Sequence, residues 1–136
     1  MRVKIMALDV DKELKIVWIV GIIVILVYGL WFFISYESYH AMLGFEAYFA
    51  PVTARVVAGI FISWAIIMIR LYKELDNWEK IEEWMLFAVL TNTFVLIAQI
   101  IGITVYNTLG AGTIIIIIIN LFFIILGIHI IMQKRK

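Results

Sequence analysis

Residues 16–35, 52–72, 84–106 and 112–132 contain no Asp, Glu or Lys and consist mainly of Ile, Val, Leu and aromatic side chains. Each run is about 20 residues long. At ~1.5 Å of helical rise per residue that suffices to cross a hydrocarbon layer of ~30 Å. β-Branched residues dominate, which in water would favour strands. Length and the lack of polar alternation argue instead for helices, because a lone strand in lipid would leave its backbone unpaired. Even the stretch 114–119, all Ile, is read as helix on this ground.

These runs predict an all-α integral membrane protein: one domain, residues 1–136, built as a four-transmembrane-helix bundle. Composition agrees. The chain has 136 residues, 65% hydrophobic and 15% charged, against roughly 25% charged in a typical soluble domain. The leader before the first run carries both signs of charge, and no small-residue cleavage pattern follows before Glu37. An uncleaved first span is therefore expected. Without cysteine, disulfides, thiolate chemistry and cysteine-held clusters are excluded. A net charge of +1 gives no basic face for nucleic acid.

Of the 11 lysines and arginines, all but Arg55 fall in the N-terminal segment, the 70–83 connection or the C-terminal segment. Four spans bring these segments to one side, and the positive-inside rule then makes both termini cytoplasmic. Trp18, Tyr72, Trp78 and Trp84 are expected at the inner interface, and Trp31, Tyr36, Tyr39, Tyr48 and Tyr106 at the outer one. Rings with one polar edge settle at headgroup level. In the inner connection Asp76 with Glu79 suggests a capping box opening the third long helix. Asp9–Lys15 suggests a short interfacial turn. Asn107, Gly110 and Gly112 suggest a tight outer turn.

The outer segment 36–51 is unusually aromatic, with Tyr36, Tyr39, Phe45, Tyr48 and Phe49 around Glu37, His40 and Glu46. An interfacial or re-entrant segment is expected. Glu37 and His40, three apart, could also face one ion on a helix, with Glu46 as a further ligand. A di-iron bundle would need more glutamates and a second such pair, so no cofactor is expected. Arg55 is a candidate to snorkel, to pair with Glu46 or Glu37, or to bind a ligand, these being its only nearby carboxylates. Arg55, Gly59 and Ser63 share a helix face by their spacing.

Among the polar residues within the runs, Tyr28, Trp64, Asn92, Gln99 and Asn120 can be compared by depth. Counting at ~1.5 Å per residue, Tyr28, Gln99 and Asn120 share one depth and Trp64 and Asn92 another. Two layers of interhelical hydrogen bonds are expected, with Gln99 meeting Asn120. Gly21, Gly29, Ala54, Ala58, Gly59, Ser63 and Gly127 are small enough for close helix approach. No acidic residue lies at mid-depth, where proton-coupled pumps place their exchangeable carboxylate.

The function expected is that of a non-catalytic accessory or scaffold subunit of a larger complex in the cell membrane. Its partners would be lipids and other subunits or further copies of itself. The alternatives are a homo-oligomeric transporter or channel lined by Arg55, Glu46, Gln99 and Asn120, and a membrane enzyme or metal subunit using segment 37–46.

Overall fold

The computed structural model describes residues 9–44 and 51–136. Five helices follow one another: α1 (Val10–Ile34), α2 (Tyr36–Met42), α3 (Pro51–Leu71), α4 (Trp78–Tyr106) and α5 (Ala111–Lys134), with a 3-10 turn at Tyr72–Glu74. The fold is all-α, and α1, α3, α4 and α5 are each long and apolar enough to cross a membrane.

The helix ends follow local chemistry. Asp9 caps α1, accepting a hydrogen bond from the Asp11 N–H, so the expected separate turn is instead the first turn of α1. Proline opens α3, where its fixed φ and missing N–H cost nothing. α4 begins after Asn77 with no side-chain cap. The Asp76–Glu79 capping box is therefore not formed; the Asp76 carboxylate lies 3.8 Å from Lys15 Nζ instead. At the far end Asn107 adopts φ 53°, a conformation Asn tolerates better than most residues. That turn lets the Thr108 N–H donate to Gly102 O at 3.1 Å.

Water cannot be the solvent of this surface. Ile34, Val52, Phe94, Val105 and Ile125 are all exposed, while Ala54, Ala58, Ala65 and Thr113 are buried. Small side chains lie inside because lipid gives no hydrophobic drive between helices, so close packing must hold them. Gly29 lets α1 approach α3: a Cβ there would lie 3.4 Å from the Ile62 backbone nitrogen. Gly127 does the same between α5 and α4, where a Cβ would lie 2.5 Å from Val89 Cγ2.

The large interfaces are α1 with α3 and α4 with α5, and α1 with α5 joins the two pairs. α3 and α4, although consecutive among the spans, make no comparable interface. The bundle is thus open along that one side. Gly59 and Ser63 face the opening rather than a neighbour: nothing lies within 4 Å of a Cβ built on Gly59, and Ser63 is exposed. The face that packs on α1 is that of Ala54, Ala58 and Ala65, all fully buried.

The end bearing the start of α1 and the end of α5 is tied by polar and charged contacts. Asp11 pairs with Lys134, Glu82 with Arg135, and His129 Nε2 lies 3.4 Å from Glu13 Oε2. Trp18, expected in an aromatic belt, is instead core at 2% exposure. Its Nε1 donates to Met68 O on α3 at 2.8 Å. This bond uses the one polar atom of the indole and so makes its burial affordable.

Candidate functional site

A cavity of about 140 Å³ lies between the four long helices, with α2 over one end. Four of the five residues compared by depth line it: Tyr28 on α1, Trp64 on α3, Asn92 on α4 and Asn120 on α5. Apart from Thr91 the remainder of the wall is largely apolar, with the rings of Trp18, Phe61, Trp84 and Phe123 among it. Gln99 is absent from the lining, which on α4 ends at Val95, one turn short of it.

The two amides differ in state. Asn92 Nδ2 donates to Ala88 O, one turn back on its own helix, at 2.7 Å. Asn120 is 5% exposed, and its Nδ2 has no hydrogen-bond partner among the described residues. No hydrogen bond joins it to Gln99, so the expected Gln99–Asn120 pair is replaced by an Asn120 amide beside a cavity. A buried N–H without a partner costs about 1–3 kcal/mol, and Asn120 Nδ2 is such a group on the cavity wall.

The end of the cavity remote from Lys134 is closed by a residue whose role the sequence did not show. α2 turns back over α1 at Ser35, with Trp31 Nε1 donating to Ser38 Oγ at 2.7 Å. This lays Tyr39 on Phe32, ring centroids 4.5 Å apart, and edge-on to Tyr28 at 6.1 Å. Tyr39 therefore lines the cavity rather than an outer belt. The end of α2 docks on the α4–α5 turn through Thr113, whose hydroxyl donates to Leu43 O at 2.9 Å. That approach needs glycine: a Cβ on Gly110 would lie 2.5 Å from Met42 O.

The open side between α3 and α4 is bridged by rings, Trp64 meeting Phe87 edge-on at 5.2 Å. A groove lined by Val56, Gly59, Ile60, Ser63 and Ile67 runs outside this contact. Trp64 and Trp84 belong to both the groove and the cavity. These indoles separate the interior from the lipid-facing surface.

Of the candidates in segment 36–51 and on α3, Glu37, His40 and Arg55 all lie around the Tyr36 ring. Glu37 is exposed, whereas His40 is 4% exposed and packs edge-on to Phe32 and Tyr36. Burial pushes the His40 imidazole below its ordinary pKa, against weaker opposing effects of the Tyr36 backbone and Glu37. Hydrogen bonding to Glu37 raises the Tyr36 phenol. The described residues contain no group of three or more potential metal ligands. Arg55 is exposed on α3 with its guanidinium 5.7 Å from the Tyr36 ring centre, away from the cavity. Glu46, with Phe45, Tyr48 and Phe49, lies outside the described residues. No known protein family, curated protein or solved structure matches the chain.

Proposed function

We propose that this chain is a non-catalytic accessory or scaffold subunit of a larger complex in the cell membrane, with both termini cytoplasmic. Its open α3–α4 side receives a transmembrane helix of that complex. The observation that carries this reading is the groove itself: two consecutive spans that do not pack on each other. On its floor Gly59 and Ser63 stand four apart, the small-x3-small spacing that lets helix backbones approach closely in lipid. The groove residues bear no charge, as a helix crossing at that depth requires. The Ser63 hydroxyl would gain from a partner helix a hydrogen bond that acyl chains cannot offer.

The test is purification in mild detergent with mass spectrometry of what accompanies the chain. A membrane protein in fixed ratio is expected with the natural chain and lost with Gly59→Leu. Because a Cβ at Gly59 meets nothing, the variant should fold normally, and its thermal melt checks that. Recovery of the chain alone, or unchanged association in the variant, overturns the reading.

A further inference from the structure

We propose that the central cavity is a binding site for a small, flat, carbonyl-bearing molecule drawn from the lipid phase, of the para-quinone headgroup class. This does not depend on the subunit role, since it concerns the interior rather than the groove.

Size, lining and polarity each narrow the occupant. A dry apolar cavity of about 150 Å³ accepts a benzene-sized molecule, and this one is about 140 Å³. Its walls carry the rings of Trp18, Phe61, Trp64, Trp84 and Phe123, which offer stacking and edge contacts to a planar ring. A branched aliphatic body would forgo those contacts.

The polar groups ask for acceptors. Trp18 Nε1 is already committed to Met68 O, and Asn92 Nδ2 to Ala88 O. The Asn120 Nδ2 is not committed to any described residue, although the side chain is 95% buried and lines the cavity. A turn about its terminal torsion, which is broad for an amide, presents that N–H to the interior. Tyr28, carrying a phenolic O–H, lines the same space from α1. A molecule with carbonyl oxygens on opposite edges of a ring can accept from both sides and brings no donor needing a partner of its own. Water could serve the amide alone, but it leaves the aromatic walls without contact.

Access is lateral. Trp64 and Trp84 stand between groove and cavity, and the Trp64–Phe87 ring contact closes the side where no backbone interface stands behind it. Rotation of one indole would join the two spaces without separating any packed pair of helices.

The experiment uses the whole chain in lipid nanodiscs, a para-benzoquinone bearing a short alkyl chain as probe, and quenching of tryptophan fluorescence as readout. Empty nanodiscs correct for partition into lipid. Saturable quenching is expected, with Kd raised about tenfold in Asn120→Leu, which keeps a side chain branched at Cγ but removes the donor. Ala88→Phe, which fills the cavity from α4, should abolish saturation. The alkyl chain attached to a benzene ring without carbonyls should compete at least tenfold more weakly. Thermal melts show that both variants are folded, and Asn120→Leu should melt higher than the natural chain because an unsatisfied amide is gone. Quenching that never saturates, an unchanged Kd in Asn120→Leu, or equal competition by the carbonyl-free compound overturns the proposal.

Discussion

His40 shows how a single side chain couples this fold to solution conditions. Its ring is buried against Phe32, Tyr36 and Tyr39, and that burial disfavours the charged imidazolium. The folded pKa lies below that of the unfolded chain, about 6.5. Over the interval between the two values the unfolded chain binds more protons, so stability rises with pH there. The stabilisation is complete above about pH 6.5 and declines as pH falls toward the depressed folded value. Melting of the purified chain should accordingly drop on acidification through this window, and His40→Gln should lose that component of the slope. A slope identical in the two proteins would place the titration elsewhere. Residue identity was visible here, but not residue role. The Glu37–His40 spacing suggested ion binding, whereas the fold-back at Ser35 exposes the glutamate and encloses the histidine among rings. Nothing in a single sequence reports that turn.

At the level of elements, the spans were legible because hydropathy measures length, and lipid fixes the length required. Rotation about the helix axis was not legible. Helices apolar all round carry little amphipathic signal to say which stripe faces inward. By residue size Gly59 and Ser63 on α3 look like Ala54 and Ala58, although the structure turns the first pair out and the second pair in. Trp18 was placed in a belt by depth alone and proves to be core. Gln99 and Asn120 were matched by depth, yet the cavity stops below Gln99. The contrast between inward and outward glycines gives a direct check. Gly127→Ala would put its Cβ 2.5 Å from Val89 Cγ2 and should destabilise the α4–α5 pair by about 1–3 kcal/mol. Adding Val89→Ala should restore much of that loss, measured by thermal unfolding in detergent. If Gly127→Ala proves neutral, the helices have more freedom to separate than the packing indicates.

For the whole molecule the asymmetry of charge is the governing fact, since every described lysine and arginine except Arg55 lies toward the end where α1 begins and α5 ends. Single cysteines at Asn107 and at Lys136, introduced into a chain that has none, should be labelled from opposite sides of the membrane. An impermeant reagent outside intact cells should reach the first and not the second. Labelling of both from outside would refute the arrangement. The pairing of helices also bears on how the chain is made. Its two extensive interfaces join α1 to α3 and α4 to α5, so each links spans that follow one another along the polypeptide. The first pair can form while the second is still being synthesised, and the second as soon as its last helix leaves the insertion machinery. The α1–α5 seam with its Asp11–Lys134 pair, and the docking of α2 on α5, must wait for the last helix. Low sequence separation thus favours two local zippers first, with the α1–α5 and α2–α5 contacts closing last.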